Sequence, residues 1–466
     1  MLKSPILATA MTFATLISAG HAQTYSAIYS FKGADFPDWT ETLSQSPGGY
    51  LLFTLPQTDG HPELGQGIAF ELSTGGWFHT LHTFDFTDGR APLSGLILGT
   101  DQRLHGTTAA GGANNYGTVF RLSPDGTVVT EHNFSGGKDG QFPNAVPMQS
   151  LSGDWYGVTS SIGGSNDFRG TIYRISTGGA YTLLHTFTGP DGAVPYGPLI
   201  EGSDGLLYGT TNGGGANGFG TVFTISPDGT LKTLHSFNGT DGKFPFNPLI
   251  QAHDGNFYGI AEQGGAAGAG VVFRITPAGT YSVLHDFSGG LGGLEPMGGL
   301  LEATDGNLYG TASQGGSSGG ATEVGILFRL TLSGAFTKVL DFNHANGYSP
   351  VGQLHQHTDG KIYGYTFFGG THDSGAIYKC DVGLGPFVAY LPIYGRAGVK
   401  VTILGQNFQN NSLVYFNGVQ AQQVEIHSTY LKAIVPDGAT TGPITVQTSS
   451  AGRTLVLKSN KDFVVH

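Results

Sequence analysis

A chain of 466 residues with 78 glycines and only 12% charged side chains is too long for one ordinary core and too rich in glycine for a helical bundle; it fits short strands joined by many tight turns. The formal net charge of −12 leaves no basic surplus to neutralise phosphates, which excludes nucleic acid as a partner and disfavours anionic membrane surfaces. A single cysteine, Cys380, rules out an intramolecular disulfide.

Residues 1–22 read as a secretory signal, with Lys3 before a short apolar stretch from Ile6 to Ala19 and small residues at Gly20-His21-Ala22. The stretch is too short to span a bilayer, so no membrane span is expected. The mature chain is placed outside the cytoplasm: secreted, periplasmic or on the cell surface. Cys380 lies in the strand-like Ala376-Ile-Tyr-Lys-Cys380 and reads as a buried, inert thiol.

From there one phrase recurs. Pro198-Leu-Ile-Glu-Gly-Ser-Asp-Gly-Leu-Leu-Tyr-Gly-Thr-Thr211, Gly220-Thr-Val-Phe223 and Leu234-His-Ser-Phe237 return as Pro248-Leu-Ile-Gln-Ala-His-Asp-Gly-Asn-Phe-Tyr-Gly259, Gly270-Val-Val-Phe273 and Leu284-His-Asp-Phe287. The closing phenylalanine recurs at Phe31, Phe84, Phe134, Phe187, Phe237, Phe287 and Phe342. Each unit divides into four strand-like runs, with Asp-Gly turns such as Ser203-Asp-Gly205 as hairpin signals. Four antiparallel strands repeated seven times, without helices, predict a seven-bladed β-propeller over 23–383. The last unit lacks its fourth strand, and 24–31 supplies an orphan of that type, so a three-plus-one closure is predicted.

Asp204-Gly-Leu-Leu-Tyr-Gly-Thr-Thr211, Gly220-Thr-Val-Phe223 and Leu234-His-Ser-Phe237 resemble the GloVer (Gloeo-Verruco) tandem repeat of bacterial exported proteins. The resemblance covers roughly 24–382 and implies export and a surface role; it carries no catalytic residues with it. After Gly383-Leu-Gly-Pro386 the period stops. Val401-Thr-Ile-Leu-Gly-Gln-Asn-Phe408, Val414-Tyr-Phe-Asn-Gly418 and Ile434-Val-Pro-Asp-Gly438 are similar to an IPT/TIG domain, which implies an immunoglobulin-like β-sandwich over 386–466.

A propeller of this connectivity gathers its glycine loops (such as 212–220) and inter-blade loops (such as 238–245) on one face and its tight turns on the other. The longer loops make the first face the candidate binding surface, with Asp88, Arg90, Asp139, Asp191, Asp241 and Lys243 among its groups. The aspartates also suit plain turn formation. No EF-hand run is present, and no cofactor is expected. His82, His132, His185, His235 and His285 share one repeat position; spread around a ring they suit blade-to-blade packing rather than zinc.

Departures from the repeat are the remaining candidates. His355 stands where sister copies carry Ile97, Ile200, Ile250 and Leu301, and with His344 and His372 it forms a candidate metal or proton-transfer group, while His357 lies nearer the opposite end. His105 replaces the repeat tyrosine, and with Arg103 and Tyr116 it forms a candidate catalytic set for elimination on an acidic sugar. The leading expectation is a monomeric binding protein that engages an extracellular glycan or protein through the loop face. A secreted polysaccharide lyase or hydrolase and a purely architectural envelope protein are the alternatives.

Overall fold

The computed structural model describes residues 23–32, 42–56, 66–163, 168–316, 324–450 and 453–465; the signal-like segment 1–22 lies outside the described residues. The first part of the chain forms seven four-stranded antiparallel sheets. Blades 1 to 6 are built from consecutive strands within 44–83, 97–133, 148–186, 200–236, 250–286 and 298–341. Blade 7 joins Tyr348–Gln356, Ile362–Phe368 and Ala376–Asp381 to the N-terminal strand Thr24–Ser30. Thr24 pairs with Asp381 and Ser30 with Ala376, so the three-plus-one closure is present. Among the described residues no helix is long and apolar enough to cross a membrane.

The repeat residues have mechanical reasons. The glycine of each Tyr-Gly sits opposite an aromatic ring of the third strand, Gly209 facing Phe223 in register. A Cβ there would come within 2.6 Å of the Phe223 ring, and at Gly259 within 2.4 Å of Phe273, so only glycine lets the ring lie down on the strand. The closing phenylalanines are buried and reach into the following blade. Phe187 meets Phe223 edge to face at 5.3 Å, and Phe287 meets Phe328 at 5.3 Å, an arrangement aromatic quadrupoles favour. Each fourth strand carries a bulge that skips one residue, as between His235 and Thr233; the skipped positions are Leu81, Leu184, Leu234, Leu284, Val339 and Ile28, with Glu131 of blade 2 the one charged residue among them.

A second latch runs along the tight-turn face. Gln251 accepts the Ser203 N–H at 2.9 Å and donates to Ser203 Oγ at 3.1 Å in the preceding blade. Gln149 does the same with Thr100, Gln356 with Thr304, and Gln45 with Thr358 across the closure.

The chain ends in two packed sheets. One runs Ala389–Leu391, Lys400–Leu404, Tyr430–Ile434, Gln422–Ile426; the other runs Tyr394–Gly395, Arg453–Val465, Gly442–Ser450, Leu413–Phe416, Val419–Gln420. Their inner faces bury Val401, Ile403, Phe416, Leu431, Ile444 and Phe463, the core of an immunoglobulin-like sandwich.

Candidate functional site

On the loop face each candidate aspartate is bonded within its own blade. His235 Nε2 lies 3.0 Å from Asp241 Oδ2, while Asn238 N–H donates to Oδ1 at 2.9 Å. His185–Asp191 (2.9 Å), His82–Asp88 (2.7 Å) and His132–Asp139 (3.3 Å) repeat the pair. Burial would raise Asp191, but hydrogen bonds from Thr188 and His185 outweigh it and hold the carboxyl below its usual range. Burial pulls His132 and His235 below the ordinary histidine value, their aspartates offsetting it only in part. The imidazole then stacks on the next blade: His235 on Tyr281 at 3.8 Å and His132 on Tyr181 at 3.9 Å. Asp88, Asp139, Asp191 and Asp241 thus tie loop to strand and strand to neighbour, which is the turn-forming alternative. Arg90 is exposed, and Lys243 Nζ lies 5.5 Å from the centroid of the Phe244 ring.

His105 stands in the tyrosine's mechanical place. Tyr208, Tyr258 and Tyr309 each donate to the turn aspartate four residues earlier, at 2.7, 2.8 and 3.0 Å. His105 Nε2 meets Asp101 Oδ1 at 3.1 Å, and its ring stacks on Trp155 at 3.9 Å as Tyr208 does on Phe257. Its Nδ1 lies 3.6 Å from Glu131, the residue in the bulge slot, and Arg121 reaches the same carboxylate at 3.4 Å. Burial alone would lower the imidazole, yet the two carboxylates outweigh it and hold His105 above the usual histidine range. Asp101 is correspondingly held at about 2, burial being overcome by the bonds from His105 and Arg103. Arg103 joins this cluster through Asp101 at 3.6 Å. Tyr116 does not: His105 pairs with Arg121 near the tight-turn end of its hairpin, whereas Tyr116 lies beyond Thr118 at the other end. Glu131 is the member that sequence reasoning missed. Its signal was a charge where sister repeats carry leucine before the histidine.

The histidines of blade 7 are not brought together. His344 packs at a tilt against Tyr348, ring centroids 4.2 Å apart, and His372 is exposed in the glycine loop, both on the loop face. His355 pairs with Tyr363 near the other end of Tyr348–Gln356, roughly 20 Å away along an extended strand. Burial, with His357 adding to it, pushes His355 down to about 3. His357 donates from Nε2 to the Gly49 carbonyl at 3.1 Å, which ties the closing blade to blade 1. No group of three or more His, Cys, Asp or Glu able to hold a metal occurs among the described residues.

What the loop face does present is backbone of unusual conformation and exposed rings. Ala91, Phe142, Val194, Phe244, Glu295 and Ser349 each precede a proline with φ between 50° and 60°, a region that non-glycine residues seldom adopt. Each is held from both sides: Val194 donates to Phe168 O of the preceding blade at 3.0 Å and accepts from Asn212 N–H at 3.0 Å. Such over-determined geometry marks sites where position matters. Phe86 (38%), Phe142 (39%) and Phe168 (57%) stand exposed on these loops, and Phe368 (41%) ends the strand Ile362–Phe368 with its ring stacked on Tyr348 at 5.4 Å.

Part of the opposite face, at the tight turns of blades 7, 1 and 2, is covered by the sandwich. Thr429 Oγ1 donates to Pro47 O at 2.9 Å, Gln406 Nε2 donates to Thr358 Oγ1 at 3.0 Å, and Thr402 Oγ1 donates to Gln102 Oε1 at 3.3 Å. Between the sandwich and the propeller axis lies a cavity of about 670 Å³. Its walls include Ile97, Met148, Ile200 and Ile250 from the innermost strands and Ile393, Lys461 and Val464 from the sandwich. Toward the loop face the inner strands converge: a Cβ on Gly197 would meet Asn247 backbone at 3.0 Å, and one on Gly95 would meet Thr42 O at 2.3 Å.

No curated protein matches the sequence. Among solved structures, a fungal alcohol oxidase of the AA5 family in complex with copper is 12% identical, with 92% of this chain and 98% of that one covered and a TM-score of 0.51; that likeness is one of fold. The periplasmic gluconolactonase of Pseudomonas aeruginosa is 15% identical over 83% of this chain and 99% of its own, with a TM-score of 0.47. A putative 6-phosphogluconolactonase of Bacteroides fragilis is 16% identical over 69% and 92%, with a TM-score of 0.45. The IPT/TIG domain model matches 387–464. The model described as the Gloeobacter/Verrucomicrobia repeat matches 38–254 and 230–414, and the chain belongs to that family.

Proposed function

We propose that the protein is an exported binding protein that engages an extracellular glycan through the loop face of its propeller. The observation that carries this reading is the set of exposed rings Phe86, Phe142, Phe168 and Phe368 on that face, together with a sandwich seated on the other. The rings stand at separate places, three on loops and Phe368 at a strand end, among polar groups such as Arg90 and Lys138. Single rings in a polar field suit stacking against successive sugar faces; a protein partner of comparable affinity calls for a contiguous apolar patch. Export rests on the signal-like residues 1–22 and on the family resemblance. The lyase alternative loses support because His105 is enclosed by Asp101, Glu131 and Trp155 and separated from Tyr116.

The test is native affinity electrophoresis of the mature protein in gels containing neutral or acidic polysaccharides, followed by sizing of each polymer. Retarded migration with intact polymer is expected. Shortened polymer, or no retardation in any gel, would overturn the reading.

A further inference from the structure

We infer that the cavity beneath the sandwich is a second binding site, for a small aliphatic ammonium ion with Glu201 as its counter-charge. At about 670 Å³ it lies within the range of small-molecule sites, roughly 300–1,000 Å³. Among the described residues no Phe, Tyr or Trp lines it; Ile97, Met148, Ile200 and Ile250 give it aliphatic wall, with Gln149, Gln251, Gln353 and Asn460 between. A sugar would find no ring to stack on there, whereas an alkyl chain would find apolar contact along its length.

The charge comes from a break in the latch pattern. Ser203, Thr100, Thr304 and Thr358 each offer a glutamine both an N–H and a hydroxyl. At the junction of blades 3 and 4 the latch residue is Glu201, and its partner, Leu151, has no side-chain donor. Glu201 Oε2 accepts the Leu151 N–H at 2.7 Å, and the charge of Glu201 reaches the Tyr394 phenol of the sandwich, which burial and that charge together raise above its usual range. Glu302, the other carboxylate lining the cavity, is already engaged by the N–H and imidazole of His253. Glu201 therefore lines a largely apolar cavity with no cation of a described residue in salt-bridge contact, and burial already disfavours its charged form. An ammonium group supplies both the donor and the charge. Lys461, on the sandwich side of the chamber, repels a second positive end, so a monoamine fits and a diamine does not.

Calorimetric titration of the full chain with hexylammonium chloride, 1-hexanol and sodium hexanoate tests this without any variant. Hexylammonium is expected to bind with one site per chain, at least about tenfold tighter than either analogue. In Glu201→Gln, which keeps the size and the acceptor for Leu151, its affinity should fall roughly ten- to a hundredfold, the worth of a hydrogen bond to a charged group. The melting temperature without ligand reports whether that variant is folded. Absence of hexylammonium binding, equal binding of 1-hexanol, or undiminished affinity in folded Glu201→Gln would each overturn the assignment.

Discussion

The residue that departs furthest from its repeat, His105, departs together with a partner. Sister blades 3 to 5 carry leucine at the bulge and tyrosine on the second strand; blade 2 replaces both, with the carboxylate of Glu131 and the imidazole of His105 3.6 Å apart. Removing Glu131 leaves His105 its bond to Asp101 but takes away its second carboxylate and the partner of Arg121, at a cost of about 1–3 kcal/mol. Glu131→Leu alone should therefore destabilise by about that much, and the pair His105→Tyr with Glu131→Leu, which restores the repeat, should recover most of it. Urea unfolding of the two variants measures the difference. Because folded His105 titrates above its unfolded value, its contribution is complete below the ordinary histidine pKa of roughly 6.5 and is lost as pH rises through the folded value. The advantage of wild type over Glu131→Leu should accordingly shrink as pH rises above the ordinary histidine value and through the raised folded one; a pH-independent difference would count against a charged imidazole. Asp101, held at about 2, acts in the opposite direction: its share is present above the unfolded carboxyl value and disappears as pH falls toward 2. His105 was readable as a departure because its neighbours in the alignment of repeats are tyrosines. Glu131 departs as well, a charge where sister copies carry leucine, but Thr130-Glu-His132 gives no hint that a bulge turns it toward His105.

Elements were far more legible than contacts. Asp-Gly turns, the Tyr-Gly phrase and the closing phenylalanine have a fixed period because each blade repeats one packing solution, and period is what sequence displays best. The loops are where reading ran out. Asp88, Asp139, Asp191 and Asp241 resemble ligand groups on paper, and only the fold shows that the strand histidine returns to them. The latch of Gln251 on Ser203 spans 48 residues, a spacing that merely looks like the repeat itself. Two outcomes follow for elements. Phe237→Ala removes a ring buried against Phe273 and Tyr281 of the next blade and should cost about 3–5 kcal/mol, measurable as a lowered denaturant midpoint. Deleting 24–31 strips the partner from Ala376–Asp381 and leaves an open sheet edge; light scattering on heating should report aggregation well below the wild-type transition. A deletion that melts as wild type would contradict the closure.

At the scale of the whole molecule the two faces differ because the chain continues after the ring closes. The sandwich follows Asp381 directly and settles on the tight turns of blades 7, 1 and 2, through Thr358, Pro47 and Gln102. That placement roofs the axial cavity and leaves the glycine and inter-blade loops uncovered. Sequence composition predicts a propeller and a sandwich; it carries no information about which face the second covers, since the contacts are a few hydroxyls and amides of ordinary turn residues. The cavity was invisible for the same reason. The most direct test of the account is migration of wild type and of a Phe142→Ala, Phe168→Ala, Phe368→Ala triple variant in polysaccharide-containing native gels. The account predicts retardation of wild type by at least one polymer, loss of most of it in the triple variant with folding retained, and no shortening of the polymer. Retardation unchanged in the variant, or a polymer shortened by wild type, would contradict it.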